Sequence, residues 1–392
     1  MATPGVGMSL GVTEGRVAVW ESGLAAVLVN DEGLRVTPCG VGGEYALLQR
    51  LTETAAAYLA AAVANVVLAV PGRFFEGQRR DLLEAARHVG LTRPQLISEA
   101  AAIALAWGGD GLVLVAGEHE AAVLECVEGT VDVQALVGED GMAGDGACLR
   151  HVDAALRFAR LNPEDLQEVL LNGAAAASAA LAERVGRPVR LLGSEAVVAG
   201  AARRAGDPDV LVIESSPRTF ALETAGGVAT VLIPRLAALP AEKMQTFTTY
   251  SDNAAAWCLS VYEGEGQMTR DQRLVGQYRL RGVPPMPRGM QRLQVRFLLD
   301  ANGVLCVSCV ETVSGQVIAV EDHHRDSPRQ AVTLPPRPDA ALCARVVLVG
   351  AEADAGSTLS ALAGFPDLLA RIWRFARPHR VSAASDVRIF DS

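Results

Sequence analysis

Two groups of residues contain closely spaced side chains of the types that bind metal ions. Glu118, His119 and Glu120 place a histidine between two carboxylates, and Cys306 and Cys309 form a CxxC pair. A structural zinc site needs four ligands, however, and neither group has a second half elsewhere in the sequence. Residues three apart on a strand also point to opposite faces. We therefore predict no metal site, a solvent-exposed histidine and two thiols on opposite faces of one strand.

The composition disfavours several functional classes. The chain has 392 residues, 50% of them hydrophobic and 20% charged, which is typical of a globular protein with two or three domains. A net charge of -10 disfavours nucleic-acid binding, so we expect protein partners. Lys243 is the only lysine, and any reaction that needs an amine must use it. Seven cysteines without disulfide-scaffold spacing, and no N-terminal signal sequence, predict a reducing compartment.

The first 206 residues alternate β-branched runs with alanine- and leucine-rich stretches, which is typical of an α/β domain. The segment 55–70 is almost wholly apolar but too short to span a membrane, so we predict a helix end followed by a buried strand and no membrane insertion. Pro163 is predicted to begin a helix. Strands are predicted near 5–10, 15–20, 24–29, 66–70, 112–116, 121–126 and 168–171, and helices at 44–62, 76–89, 98–107, 147–159, 174–186 and 194–204.

The pattern changes after residue 206. Residues 207–214 are predicted to be an interdomain linker, and residues 215–320 show the two-residue alternation of an all-β domain. Within that domain, Asn302-Gly303 predicts a tight hairpin turn between two strands.

The last part of the chain is predicted to contain a second linker, 321–344, and an extension, 345–392, with a strand at 345–349 and an amphipathic helix at 366–377. Leu369, Ile372 and Trp373 share one face of that helix, and Arg374 lies on another. We expect this helix to dock on a partner.

Five segments of the second half, in this order, resemble the substrate-binding domain of the seventy-kilodalton heat-shock chaperones: ETAGGVATVLIP (223–234), QTFTTYSDN (245–253), VYEGE (261–265), PPMPRGM (284–290) and DANGVL (300–305). In the first half, AVPGRFFEGQRRDLLEAARHVGL (69–91) and LISEAAAIALAWG (96–108) resemble the nucleotide-binding domain of that family. The resemblance covers about the first 320 positions. It implies a reduced actin-like (ribonuclease-H-like) ATPase-type domain, then an all-β substrate-binding sandwich and a short α/β tail.

The resemblance also implies a Mg-ATP site, of which only part is present here. Gly11, Thr13 and Gly173 match phosphate- and adenosine-contacting positions, and Glu99 matches a catalytic carboxylate. We interpret Glu99 as a solvated carboxylate at a helix start, because the other parts needed for phosphoryl transfer are missing.

The departures from the family pattern are several. Ser9 replaces an aspartate near the metal, Val12 replaces a threonine, and Ala177 replaces an arginine that packs on adenine. The second phosphate hairpin, 116–123, keeps one glycine and carries two carboxylates that would repel phosphate. The chain is also shorter than the family between residues 41 and 44, where the catalytic lysine belongs, and between 141 and 150. We therefore predict a pseudo-ATPase without a cofactor.

The resemblance implies a peptide groove in the second half. Leu222, Thr224, Phe247 and Leu259 match its pocket lining, and Ala225 and Tyr250 match an arch over the peptide, in the form found in the eukaryotic cytosolic branch. Trp257 stands where the family has a small aliphatic residue. An indole would fill the volume of a substrate leucine, so we expect a self-plugged groove or one that accepts a shallow ligand.

Four residues match positions that connect the two domains: Pro71, Arg79, Leu211 and Ile213. In the family the first two relay the nucleotide state between the domains. Without a nucleotide to relay, we interpret Pro71 as a packing residue and Arg79 as a surface charge.

The resemblance and the departures from it thus predict a noncatalytic, cytoplasmic protein related to heat shock protein 70 that acts as an interaction or structural component of an assembly, on the cytoskeleton or in another large complex. Two alternatives stay open. One is a minimal ATP-dependent chaperone that uses ATP, magnesium and co-chaperones, and the other is an ATP-independent holdase for unfolded polypeptides.

Overall fold

The computed structural model describes residues 4–11, 13–39, 43–138, 145–173, 176–248, 253, 256–287, 290–322 and 345–349. Within these residues the first half of the chain is mixed α/β and the second half is all-β, as the sequence predicts. The described helices include none with the length and apolar character needed to cross a membrane.

The elements of the α/β half are β1 (Gly5–Leu10), β2 (Glu14–Glu21), β3 (Leu24–Val29), β4 (Thr37–Pro38), α1 (Gly43–Leu59), β5 (Asn65–Val70), α2 (Glu76–His88), β6 (Arg93–Ser98), α3 (Glu99–Trp107), β7 (Gly111–Gly117), β8 (Glu120–Val127), β9 (Thr130–Gly138), α4 (Asp145–Ala159), β10 (Glu168–Asn172), α5 (Ala176–Val185), β11 (Arg190–Leu192) and α6 (Glu195–Gly206). The later strands are β12 (Leu211–Ile213), β13 (Phe220–Thr224), β14 (Val228–Ile233), β15 (Ala241–Phe247), β16 (Ala256–Glu263), β17 (Arg273–Arg281), β18 (Leu293–Leu299), β19 (Leu305–Glu311), β20 (Val317–Asp322) and β21 (Arg345–Val349).

The α/β half consists of two lobes. The first lobe has the strand order β21-β3-β2-β1-β5-β6, with β4 paired to β2, and the second has the order β11-β10-β7-β8-β9-β12. Strands β1, β5 and β6 run parallel in the first lobe, as do β7, β10 and β11 in the second. Parallel strands of this kind are buried on both faces, which explains the continuous apolar run from Val66 to Val70.

Helices α3 and α6 pack between the lobes through very small residues. A Cβ on Gly200 of α6 would lie 1.7 Å from the Ala102 carbonyl oxygen of α3. A Cβ on Gly7 of β1 would lie 2.1 Å from the Ala202 nitrogen of α6. Glycine is required at both positions because the backbones approach each other directly.

The β half is a single path of strands, β14-β13-β16-β17-β20-β19-β18-β15, in two layers that share one core. Strand β20 joins the layers because it pairs with both β17 and β19. The alternation read from the sequence is confirmed on β18, where Leu293, Val295, Phe297 and Leu299 are all fully buried. The hairpin turn at Asn302-Gly303 is also confirmed, with Gly303 at a φ of 74°.

The predicted strand at 345–349 is confirmed, and it pairs with a strand that is far away in the sequence. It is β21, and it runs antiparallel to the edge of the first lobe, with Arg345 opposite Val29 and Val349 opposite Ala25. The predicted helix at 366–377, with Leu369, Ile372, Trp373 and Arg374, lies outside the described residues.

Several predicted boundaries are wrong for local reasons. Helix α1 ends at Leu59 because Ala60 adopts a φ of 51°, and the prediction continued the helix to residue 62. Pro163 begins a three-residue 3-10 turn, Pro163–Asp165, instead of a longer helix. The sequence pattern did not predict strands β6 and β9. Proline is rare within strands, so Pro94 obscures the pattern of β6, and the polar residues of TVDVQ interrupt the apolar pattern of β9.

Replacing Gly200 with alanine should destabilise the fold, because the added methyl group overlaps the Ala102 carbonyl. We expect a loss of about 1–3 kcal/mol or more, measured by urea unfolding. The matched control is Gly77→Ala in α2, where a Cβ would meet nothing within 4 Å and the change should be neutral or stabilising. Equal stability of the two variants would contradict this description of the α3–α6 contact.

Candidate functional site

The residues predicted to contact a nucleotide follow the carboxyl ends of parallel strands. In the first lobe, Gly11 and Thr13 lie between β1 and β2, and Glu99 follows β6. In the second lobe, Gly117 ends β7 and pairs with Asn172, and Gly173 then follows β10. Ligands of α/β proteins bind at such strand ends. The structure therefore brings these residues to the corresponding edges of the two lobes.

The hairpin between β7 and β8 only partly matches the prediction that two carboxylates face a phosphate site. Glu118 is exposed, and its Cγ is the nearest atom to a Cβ built on Gly173, at 3.5 Å. Glu120 is buried and turns away, because its carboxylate accepts a hydrogen bond from the Arg73 N–H at 3.2 Å. His119, predicted to be solvent-exposed, is half-buried.

The interpretation of Glu99 as a solvated carboxylate is also wrong. Its side chain is half-buried at the start of α3. Burial and the negative charge of Glu120 raise the pKa of Glu99 to about 8, while Arg73 opposes the shift. A sequence pattern cannot show this, because Glu120 and Arg73 reach Glu99 from other elements.

Two carboxylates from the later part of the chain lie at the starts of α2 and α3, where Glu263 caps α2 and Glu214 binds Ser98, the residue that caps α3. Helix α2 begins after Phe75, whose side chain cannot accept a hydrogen bond, and Glu263 of β16 accepts the Glu76 N–H at 3.3 and 3.2 Å. Glu214, just after β12, accepts hydrogen bonds from the N–H and Oγ of Ser98, at 2.6 and 3.0 Å. The first amides of a helix lack partners within the helix, and its N-terminus favours negative charge.

Glu76 itself reaches the β half. Its side chain is 1% exposed, pairs with Arg80 of α2 and accepts the Leu305 N–H at 3.2 Å. Arg80 also pairs with Asp322 at 3.1 Å. Burial raises the pKa values of Glu76 and Glu214, whereas their cationic and N–H partners oppose that shift.

Arg79 is a buried contact between the halves, so its interpretation as a surface charge is wrong. It is 6% exposed and donates hydrogen bonds to the carbonyls of Gly72 and Phe74, at 3.0 and 3.3 Å. A third, longer bond of 3.4 Å reaches the carbonyl of Asn302 in the β half. Pro71 is buried, as expected of a packing residue.

The predicted linker is partly a strand. Leu211–Ile213 forms β12 and extends the second lobe by pairing in parallel with β9. Leu211 is 49% exposed and Ile213 is half-buried. The backbone pairing with β9 therefore contributes more to holding this segment on the second lobe than burial of these side chains does.

We call the set of Glu76, Arg79, Arg80, Ser98, Glu214, Glu263 and Asp322 the junction network. Sequence reasoning identified only Arg79 of this set. One sequence signal could have indicated a member of this network: a charged residue next to an apolar run. Glu214, which follows Leu211-Val212-Ile213, is such a residue. That signal does not reveal a partner more than a hundred residues away.

Four of the predicted groove residues meet in the core of the β half. Leu222 and Leu259 are buried, and Phe247 and Trp257 are partly buried against the same cluster. Phe247 comes from β15 and Trp257 from β16, and their rings meet edge to face at 6.1 Å across the two layers. The aromatic pair thus occupies the end of the core.

The remaining predicted groove residues lie elsewhere. Thr224 is exposed, and its Oγ contacts the Val228 carbonyl and the Thr230 hydroxyl of its own hairpin. Ala225 is exposed in the turn that follows. Tyr250 lies outside the described residues.

The thiols of the CxxC pair point to opposite faces, as predicted. Cys306 is exposed, whereas Cys309 is buried and burial raises its thiol pKa to about 11. Among the described residues, no group of three or more His, Cys, Asp or Glu side chains is placed to hold a metal ion.

These features define a two-domain protein in which a two-lobed α/β unit docks on an all-β unit through buried charges. A family model described as Hsp70 protein matches residues 44–144 and 146–332, which is more than half of the chain. The chain therefore belongs to the Hsp70 family, as a divergent and shortened member.

Two relatives illustrate the divergence. The chain is 28% identical to the heat shock 70 kDa protein of Neurospora crassa over 385 residues, which include 69% of this chain and 58% of the relative. It is 27% identical over 382 residues to the protein of the same name from Emericella nidulans, with the same coverage. The chain thus spans a little over half the length of these relatives. Because the aligned length exceeds 69% of 392 residues, the alignment must leave gaps within this chain.

Replacing Trp257 with valine should raise affinity for an apolar heptapeptide, because it removes one ring of the aromatic pair and opens space beside Leu259. Fluorescence anisotropy with a labelled peptide measures the change, for which we expect at least a tenfold gain. Trp20→Val, in the first lobe, is the control. Equal affinity of wild type and Trp257→Val would contradict the self-plugged groove.

Stability should fall as the pH rises from about 4.5 to 7, in part because of Glu263. Burial raises the pKa of Glu263 to about 7, so the folded state holds its proton at pH values where the unfolded chain has released it. Ionisation therefore costs stability between about pH 4.5 and 7. In urea unfolding, Glu263→Gln should lose less stability over this window than wild type or the exposed control Glu164→Gln. Identical pH dependence in all three proteins would refute this role of Glu263.

Proposed function

We propose that this chain is a chaperone-like protein of the Hsp70 family that binds protein partners without a cycle of ATP hydrolysis. In this proposal its domains stay docked without nucleotide. The observation that carries the proposal is the capping of α2 by Glu263 of the β half, together with the hydrogen bonds of Glu214 to Ser98, the residue that caps α3. Undocking would leave helix amides and buried charges without these partners, at a cost that increases with each group.

The residues that match the family's nucleotide site support the same proposal. An actin-like ATPase domain needs charge neutralisation around the phosphates, and Ser9, Glu118 and Ala177 offer none. Ala177 packs instead on the core of the second lobe. The chain passes from β4 to α1, and from β9 to α4, without the additional subdomains that the family places there.

For the finer function we propose an interaction or structural component of a larger assembly, with a protein as the partner and the cytoplasm as the compartment. The shortened chain and the aromatic pair at the groove favour one constant protein partner over the binding of many different unfolded polypeptides. An ATP-independent holdase is the nearest variant of this proposal.

A slow ATP-dependent chaperone is the second candidate, and Glu99 favours it. A carboxyl group whose pKa is raised to about 8 can exchange a proton near neutral pH, as a general base must. Its position at the carboxyl end of β6 is compatible with that role.

Single-turnover measurement of ATP hydrolysis separates these candidates. We expect no phosphate release above the rate of a protein-free control, and we expect suppression of client aggregation, if present, to be unchanged by Mg-ATP. Hydrolysis that Glu99→Gln abolishes and the control Glu118→Gln retains would establish the second candidate and overturn our proposal.

A partner at constant stoichiometry distinguishes a structural component from a holdase. Native purification followed by quantitative mass spectrometry should yield one partner at a fixed ratio. A spread of substoichiometric clients would instead favour the holdase.

A further inference from the structure

Strand β21 is added to the first lobe from a distant part of the chain. The other strands of its sheet, β1 to β6, all come from residues 5–98. Strand β21 pairs with β3 over five positions, from Arg345 opposite Val29 to Val349 opposite Ala25. The match to the family model ends at residue 332, so β21 lies beyond it. One continuous part of the chain thus forms this sheet, and one further strand is attached to its edge.

Helices cover the faces of β3, so a further strand can approach only its edge. Residues 25–29 are between 0 and 4% exposed. Val27 lies in a small core cluster with Val198 of α6, and Leu28 lies in the large core cluster that includes Leu48 of α1. Successive residues of a strand point to opposite faces, so α6 and α1 cover the two faces of β3. What β3 offers to a partner is therefore the N–H and C=O groups of its edge, which is the surface used in β-augmentation.

Tight turns fix β3 at both ends. Before the strand, Ser22 and Gly23 have φ angles of 55° and 82°, which are typical of a two-residue hairpin turn. After the strand, the Asn30 side-chain oxygen accepts hydrogen bonds from the N–H groups of Glu32 and Leu34, at 3.1 and 2.9 Å. Strand β2 pairs with the other edge of β3. These contacts do not involve β21, so the acceptor edge is already in its binding conformation when β21 leaves.

The sequence around β21 suits a strand that can leave and return. The predicted linker before it, 321–344, can extend by about 3.3 Å per residue, so release of β21 requires no movement of either half. Residues 346–349 are four consecutive apolar residues, three of them valine, and Arg345 precedes them. β-Branched residues favour strands, and this pattern describes what a competing segment must resemble.

We propose that the edge of β3 binds an extended apolar segment of a protein partner by β-augmentation, and that β21 occupies this site as an internal competitor. The partner segment contains a run of about four apolar, mainly β-branched residues and pairs antiparallel with residues 25–29. Backbone hydrogen bonds supply the affinity in this mode of recognition. The inference names a surface for the protein partner of the proposed function, and it rests on that proposal for the existence of such a partner.

Peptide binding to the full chain is the primary test. The probe is a labelled heptapeptide, ARVVLVG, which has the sequence of residues 344–350. Because β21 occupies the site for most of the time, it lowers the apparent affinity of the wild-type protein. Val347→Pro removes an N–H from β21 and disfavours its pairing, so this variant should bind the peptide about tenfold or more tightly than wild type. Fluorescence anisotropy measures both affinities.

The matched control is Val381→Pro, in the extension after β21, which should bind the peptide as wild type does. Equal affinities of wild type and Val347→Pro would overturn the proposal. So would no binding to either protein up to about 1 mM, the effective concentration expected of a tethered strand. If melting shows that Val347→Pro is unfolded, Val347→Gly replaces it, because glycine weakens a strand but keeps the N–H.

A second peptide distinguishes strand pairing from general apolar contact. ARVPLVG has proline at the central position, cannot donate a hydrogen bond there, and should bind neither protein. Equal binding of the two peptides would refute recognition through the backbone.

Hydrogen exchange locates the site. Amides of residues 24–29 should exchange faster in Val347→Pro than in wild type, and ARVVLVG should restore their protection. Peptide binding that leaves these amides unchanged would place the peptide elsewhere, as in the predicted groove, and would refute the β3 site. Failure here leaves the proposed absence of ATP hydrolysis intact, because phosphate release is measured separately.

Discussion

The structure depends on carboxylates of the later part of the chain that accept hydrogen bonds from the starts of two helices. The free amide at the start of α2 and the buried carboxylate of Glu263 are each costly alone, and docking satisfies both. Glu214 stands in the same relation to Ser98 at the start of α3. Glu263 thus attaches the β half to α2, and Glu214 attaches the segment after β12 to the start of α3, which packs between the lobes.

Two residues that match a nucleotide site differ from the junction network: they are uncharged, whereas most of the network is charged and forms contacts between the two halves. Ser9 of β1 and Ala177 of α5, which match positions of the family's nucleotide site, are small residues without charge. At the junction, Arg79 is buried and hydrogen-bonded to both halves. The contacts of Arg79 therefore link the α/β half and the β half.

The sequence predicted the architecture well because its signals are local. The alternation on β18 and the apolar run of β5 reflect burial of neighbouring residues. Prediction failed where distant elements meet: nothing near Glu99 indicates Glu120, and nothing near Glu76 indicates Glu263. Prediction succeeded only in part at the groove. The sequence indicated that Trp257 is large for its position, but its contact with Phe247 is visible only in the structure.

Hydrogen exchange of the junction amides tests the central claim most directly. The N–H groups of Glu76, Ser98 and Leu305 each donate to a carboxylate of the junction network. If docking needs no nucleotide, these amides should be protected in the free protein and equally protected with Mg-ATP. Rapid exchange in the free protein, or a change in protection when ATP is added, would contradict the account.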